Sequence, residues 1–176
     1  MALPQEKFRE IVFQLLYSYD LSYSTEEEMH ALLTKELAVT KKNVREAQEK
    51  VNLIHQNQDE IDLLIGKASL SYTFERIQTV ERNILRLGVF EILYDKEIPP
   101  KVAIAEALRL ARKFGTPESA TFVNAVLDSI YKTMMGETPS QSTVSSSIAL
   151  LIESEEKAQE VSKSPPADLT SQDDDQ

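Results

Sequence analysis

The residues best suited to do chemistry form a stripe of one arginine and two aromatics near the N-terminus. Arg9, Phe13 and Tyr17 recur every four residues in "EKFREIVFQLLYSYD", so they share one face of a helix. Aromatic rings stack unpaired bases and a guanidinium holds phosphate, so the stripe suits single-stranded RNA. It can equally dock a second helical bundle, because aromatics off the main apolar face usually pack on another element. The stripe alone leaves both interpretations open.

Cations recur at helical spacing further along the chain. Arg82 and Arg86 are four residues apart, where like charges repel, and a partner anion would relieve that repulsion. Lys101, Arg109 and Arg112 share a stripe in "PKVAIAEALRLARKF". Acidic residues lie between these cations, so a solvated helix face is the alternative, and any RNA affinity should be modest and salt-sensitive.

Catalysis finds little support in the sequence. The chain has no cysteine, and its two histidines, His30 and His55, are isolated from other metal ligands. No phosphate-cradling glycine loop is present, and the "GTPES" segment fits a helix end followed by a helix cap. We therefore expect no enzyme, no metal and no cofactor.

The net charge of −10 is unevenly distributed over the 176 residues. Residues from Thr138 onward contain two lysines and eight acids, or −6, which leaves −4 for the first 137 residues. A body near −4 can still carry a local basic patch. No apolar run approaches the roughly 18 residues that span a bilayer, and charges come too early for a secretory signal, so we expect a cytoplasmic protein without membrane contact.

Residues 4–135 predict helices throughout, because no window alternates with period two and only three glycines fall there. The apolar face of the first helix comprises Phe8, Ile11, Val12, Leu15, Leu16 and Tyr19. Helices are predicted from Pro4, from Ser24 or Thr25, from about Thr40 to Lys67 with a break near "HQNQDE", from Thr79 to Tyr94, from Pro100 to Phe114, and from Thr116 to about Met134. The helix from Thr79 is apolar all round and should be central.

A composition change near Gly136 divides the chain into a helical domain, residues 1–136, and an acidic low-complexity tail, residues 137–176. The tail has no aromatic residue and one short apolar run, "IALLIE". It should bury too little apolar surface to offset its ordering entropy. We therefore predict disorder there, with one transient helix from Ser145 to Val161. A solvated tail is the plain interpretation, and autoinhibitory competition with RNA is the sharper one.

Three segments resemble the NusB transcription antitermination family: "REIVFQLLYSYDLS" (9–22), "VERNILRLGVFEILYDKEIPPKVAIAEALRLARKFG" (80–115) and "FVNAVLD" (122–128). The resemblance implies an all-α fold of about seven helices in two small packed bundles. It also implies a non-enzymatic role beside NusE, a small-subunit ribosomal protein. The pair binds boxA, a single-stranded RNA element in the leaders of ribosomal RNA operons, and helps RNA polymerase read through terminators.

The same resemblance assigns roles to individual residues. Partner contact falls on Tyr17 and Glu81. RNA contact falls on Lys7, Arg9, Gln14, Arg86, Lys101, Glu118 and Phe122, of which Arg86 and Lys101 are proposed on charge and position.

Departures from the family pattern keep alternatives open. Glu6 and Glu10 stand beside the N-terminal cations, where the family often has a run of arginines. A protein-docking helical module with little RNA binding of its own is therefore the alternative function. A fragment of an RNA methyltransferase ranks lower, because the chain carries no catalytic cysteine and no cofactor-binding domain. The sequence leaves monomer and homodimer equally open.

Overall fold

The computed structural model describes residues 2–22 and 24–164. All regular structure in those residues is helical, which confirms the all-α class. The α-helices are α1 (Gln5–Leu21), α2 (Glu26–Glu36), α3 (Lys41–Gln56), α4 (Gln58–Ala68), α5 (Thr79–Leu93), α6 (Pro100–Phe114), α7 (Pro117–Met134) and α8 (Gln141–Lys163), with a 3₁₀ turn at Phe74–Arg76.

Local capping explains where several helices begin. The Thr25 hydroxyl accepts a hydrogen bond from the Glu28 backbone N–H, and the Glu28 carboxylate accepts one from the Thr25 backbone N–H, which forms a capping box. Thr40 and Thr116 cap α3 and α7 in the same way. Pro100 and Pro117 occupy first helical positions, where no backbone N–H is needed.

The helices form two packed groups that share α5. Helices α1, α2 and α3 pack together, α5, α6 and α7 form the second group, and α4 contacts both α5 and α7. Helix α5 contacts both groups, as its all-round apolar sequence predicted. Gly88 permits the close approach of α5 and α7, because a Cβ there would lie 2.9 Å from a Leu127 methyl carbon. A single hydrophobic cluster runs from α1 to α8.

Gln141–Lys163 forms α8, which includes the helix predicted from Ser145 to Val161, but α8 is packed on the body, so the prediction of disorder is wrong for this segment. The chain turns at Gly136, whose φ of 76° is left-handed, and α8 then packs on α7. Val144, Ile148 and Leu151 are buried at helical spacing, so the short apolar run finds a surface to cover. Residues 165–176 of the predicted tail lie outside the described residues. Within the described part, no helix is both long and apolar enough to cross a bilayer.

Candidate functional site

The arginine that begins the N-terminal stripe is buried. Arg9 Nε donates to both carboxylate oxygens of Glu91 on α5, at 3.0 and 3.1 Å, and Nη1 lies 3.6 Å from Glu106 on α6. Lys50 of α3 approaches the same Glu91 carboxylate at 3.0 Å. A carboxylate buried in a central helix is costly without partners, and these two cations supply them. The expectation that Arg9 is exposed for phosphate is therefore wrong.

The charge of Arg86 is also neutralised by carboxylates of the protein itself. Its guanidinium makes a bidentate contact with Asp62 of α4, at 2.8 and 2.9 Å, and Nη1 lies 3.4 Å from Asp20 of α1. Asp20 pairs with Arg82 at 2.8 Å as well. The anions that relieve the repulsion between the two arginines are thus internal. Arg86 is 6% exposed, which contradicts its assignment as an RNA contact.

The aromatic part of the stripe reaches the surface at one end only. Phe13 is buried, with its ring 4.8 Å from that of Phe114 on α6. Tyr17 is half-buried, and its ring lies 5.9 Å from that of Phe13. The expectation that both rings are presented is wrong for Phe13. Tyr17 and the half-buried Phe114 leave an aromatic surface where α1 meets the end of α6.

The second predicted partner residue, Glu81, lies at the start of α5 and faces the start of α7. Ser119 Oγ donates to Glu81 Oε1 at 2.5 Å. The other carboxylate oxygen, Oε2, is buried with no hydrogen-bond partner among the described residues. Glu81 is 5% exposed, so it supports the α5–α7 junction from inside. An exposed partner contact through this side chain is contradicted.

Phe122, predicted to contact RNA, is fully buried on α7. Its ring packs edge-on against Tyr72, with centroids 5.7 Å apart. Direct base stacking on Phe122 is therefore contradicted, because both rings are in the core. Glu118, one turn earlier on α7, is half-buried.

Three of the cations that the sequence suggested for RNA are accessible, around α6 and the start of α1. Lys101 and Arg112 are exposed and Lys7 is half-buried, and within residues 2–22 and 24–164 none of the three forms an ion pair. Gln14 is half-buried on α1. A groove of about 550 Å³ runs between α6 and α7; it is lined by Leu108, Arg112, Pro117, Ala120, Thr121 and Asn124. This groove places the Arg112 guanidinium beside the small side chains of Ala120 and Thr121.

Glu10 binds two cations of α6, one of which, Arg109, belongs to the stripe that the sequence suggested for RNA. Arg109 Nη1 and Lys113 Nζ each contact one oxygen of the Glu10 carboxylate at 2.9 Å. Burial alone would raise the pKa of Glu10, but the hydrogen bonds from Lys113 and Arg109 lower it below 4.5. Arg109 also donates to the Glu6 carbonyl oxygen at 3.1 Å. These contacts hold the start of α1 against α6.

Sequence reasoning missed the internal ion pairs and the contacts of α8. A signal for the first existed: Glu91 stands in a helix that is otherwise apolar all round, so it needed a buried cation. A contact between Arg76 and Glu155 joins residues 79 positions apart, and no local pattern predicts it. Among the described residues, no group of three or more His, Asp or Glu is arranged to hold a metal ion.

Sequence comparison finds extensive similarity to one family. The sequence model of the NusB family matches residues 6–132. The transcription antitermination protein NusB of Chlamydia pneumoniae is 39% identical over 128 residues, which cover 73% of this chain and 80% of that protein. The NusB of Dehalococcoides mccartyi strain CBDB1 is 37% identical over 134 residues, which cover 76% of this chain and 94% of that protein.

Solved structures agree with the sequence comparison. Thermotoga maritima NusB superimposes with a TM-score of 0.65 and 30% identity, over 81% of this chain and 98% of that one. A chain from a crystal structure of antitermination factors NusB and NusE in complex with dsRNA gives a TM-score of 0.62 and 32% identity. That match covers 73% of this chain and 96% of the other.

Proposed function

The chain belongs to the NusB family, and on that premise we propose that it is a transcription antitermination factor that pairs with NusE and binds single-stranded boxA-type RNA. In this role it joins the antitermination complex of RNA polymerase on ribosomal RNA operons and promotes readthrough without catalysing a reaction. The observation that carries the proposal is similarity along nearly the whole helical body, including a chain from a NusB–NusE–RNA complex.

The accessible residues form two surfaces, one proposed to bind NusE and the other proposed to bind RNA. Tyr17, with Phe114 beside it, offers an aromatic surface to NusE at the junction of α1 and α6. The cations offered to RNA phosphates are Lys7, Lys101 and Arg112, which form no ion pair in the part of the chain that the structure describes. Gln14 and Glu118 offer polar groups. Four predicted site residues are buried and contribute to binding only by supporting the helices that carry these surfaces: Arg9, Arg86, Glu81 and Phe122.

The decisive test is a fluorescence anisotropy titration of a boxA-like RNA, with and without NusE, at low salt. We expect NusE to increase the apparent RNA affinity cooperatively, because Arg9 and Arg86 of the free chain are paired internally and the chain has a net charge of −10. An RNA affinity that NusE leaves unchanged contradicts the proposal.

Lys101→Ser sharpens the same titration. Each lost phosphate contact on single-stranded RNA should reduce the slope of log K against log salt concentration by about 0.7. Lys35→Ser on α2 is the matched control, since Lys35 is exposed and has no ion pair among the described residues. Equal slopes for Lys101→Ser and the control would remove Lys101 from the RNA surface.

Internal neutralisation favours a second candidate, a protein-docking module with little RNA contact. Arg9 and Arg86 both form ion pairs with internal carboxylates, so fewer cations are available to bind RNA. In that case NusE binds, yet Lys7→Ala and Lys101→Ser leave RNA retention by the pair unchanged. Arg9→Ala cannot make this distinction, because it removes a buried ion pair.

A further inference from the structure

A stacking patch composed of Tyr72, Arg76 and Phe122 lies beside α8. The Arg76 guanidinium carbon is 4.8 Å from the centroid of the Tyr72 ring, a cation–π contact. The Tyr72 ring packs edge-on against Phe122 beneath it. The two rings are buried, so the donors that this patch offers to a phosphate are the Arg76 guanidinium, whose side chain is 49% exposed, and the Tyr72 hydroxyl.

A carboxylate from α8 occupies this stacking patch. The Tyr72 hydroxyl donates to Glu155 Oε1 at 2.5 Å, and Arg76 Nη2 lies 3.5 Å from Glu155 Oε2. Burial and the Glu155 carboxylate raise the pKa of Tyr72 above its ordinary value, so the hydroxyl stays protonated and donates. Glu155 thus occupies the Tyr72 hydroxyl and the Arg76 guanidinium, the two donors that would otherwise be available to an RNA phosphate.

Helix α8 is held firmly at its start and weakly at its end. Val144, Ser147, Ile148 and Leu151 are buried, whereas residues 156–164 are exposed. Glu155 is the last α8 side chain in the described part that hydrogen-bonds to the rest of the protein. A groove of about 370 Å³ opens beside it, between Arg76, Gln78 and the α8 residues Ala158, Gln159 and Ser162. The second half of α8 can therefore detach without exposing the apolar first half.

The charge of this segment opposes RNA. Residues 152–163 contain Glu153, Glu155, Glu156 and Glu160 but only Lys157 and Lys163. Helix α8 also lies beyond residues 6–132, the part of the chain that matches the NusB family. Its second half therefore places net negative charge beside Arg76.

We propose that the second half of α8 is an autoinhibitory cover, in which Glu155 competes with an RNA phosphate for Arg76 and the Tyr72 hydroxyl. The inference rests on the proposed RNA-binding function and adds its regulation. When RNA binds beside NusE, the phosphate replaces the carboxylate and the end of α8 leaves the stacking patch.

Glu155→Gln tests the cover, with Glu156→Gln as the matched control. Both changes remove one negative charge from neighbouring positions of α8, but Glu156 is exposed. At an ionic strength of about 0.1 M, with NusE present, Glu155→Gln should raise the affinity for a boxA-like RNA roughly 3- to 10-fold, the usual strength of one partly exposed ion pair and hydrogen bond. Glu156→Gln should raise it by less than about 2-fold, because solvent screens it. Adding Arg76→Gln to Glu155→Gln should remove the gain.

Hydrogen exchange separates failure of the cover from failure of the proposed function. RNA binding should speed amide exchange in residues 152–163 of the wild-type chain, and Glu155→Gln should speed it without RNA. If RNA binds but exchange in 152–163 stays unchanged, or if both variants gain affinity equally, the cover is wrong and the RNA function stands. If neither the wild-type chain nor Glu155→Gln binds RNA with NusE, both proposals are overturned.

Discussion

Two arginine–glutamate pairs in this molecule share their chemistry and differ in burial. Arg9 and Glu91 join α1 to α5, and their side chains are 6% and 1% exposed at an N–O distance of 3.0 Å. Arg76 and Glu155 join the 3₁₀ turn to α8, and their side chains are 49% and 20% exposed at 3.5 Å. The first pair is sealed between helices, whereas the second lies at the edge of an open groove.

Burial decides what each pair can do. Charges removed from water are stabilised only by each other, so neither Arg9 nor Glu91 can exchange its partner without a large cost. Partly exposed charges exchange partners with water and ions at little cost. The Arg9–Glu91 pair is therefore part of the fold, and the Arg76–Glu155 pair is suited to a contact that forms and breaks.

The largest expected effect comes from Arg9→Met, which leaves Glu91 buried with Lys50 as its remaining close cation. We expect the free energy of unfolding to fall by about 3 kcal/mol, the usual cost of removing one partner from a buried pair. Urea denaturation followed by circular dichroism at pH 7 measures it.

Arg45→Met is the control for this change, because Arg45 is exposed on α3 and forms no ion pair within the described residues. It should change the free energy of unfolding by about 0.5 kcal/mol or less. A loss below about 1 kcal/mol for Arg9→Met would place Arg9 with the surface cations and restore it as a candidate RNA contact.

The Glu10 clamp, in which Glu10 contacts Arg109 and Lys113, lies between the two extremes, since the Glu10 side chain is 12% exposed and the two cations are 27% and 53% exposed. At pH 7, Glu10→Gln should lower the free energy of unfolding by about 1.5 kcal/mol, in the range for hydrogen bonds to a charged group. The pKa of Glu10 is lowered in the folded state, so its stabilisation is complete above pH 4.5 and is lost as the pH falls through the folded value.

Urea denaturation of the wild-type chain and Glu10→Gln between pH 7 and pH 3 measures this dependence. The difference between them should stay constant down to about pH 5 and then close, since 4.5 is the ordinary value of the carboxyl pKa. Glu6→Gln is the control on the same helix, because only the backbone carbonyl of Glu6 contacts Arg109. A difference that persists unchanged at pH 3 would show that the carboxylate charge does not stabilise the clamp.

The helices were predictable from sequence because their signals are local. Thr116 and Pro117 begin α7 as expected, and the all-round apolar pattern correctly identified α5 as central. The stripe of Arg9, Phe13 and Tyr17 was not assigned correctly, because periodicity gives the face of a helix and not what covers that face. Helix α6 covers Phe13, and Glu91 takes Arg9.

Composition misjudged α8 for a related reason. Its apolar positions are few, so the segment cannot form a core of its own, and disorder was the expected result. Val144, Ile148 and Leu151 instead pack on a surface that the helical body already supplies. A helix that packs on an existing core needs only one short apolar stripe. The surface on which it packs is formed by other segments, so the sequence of the helix itself does not reveal that surface.

The smallest expected effect on stability is the sharpest test of the comparison. Arg76→Met keeps a long apolar stem over Tyr72 and removes the charge that pairs with Glu155. It should lower the free energy of unfolding by less than about 1 kcal/mol, because both charges are partly solvated. In a titration with NusE it should nevertheless weaken RNA binding and reduce the salt slope by about 0.7, the value for one lost contact to a single strand. Arg9→Met should show the reverse, a large loss of stability with an unchanged salt slope at temperatures where it remains folded. If Arg76→Met destabilises the chain as much as Arg9→Met does, the two pairs are alike, and Glu155 fastens α8 permanently.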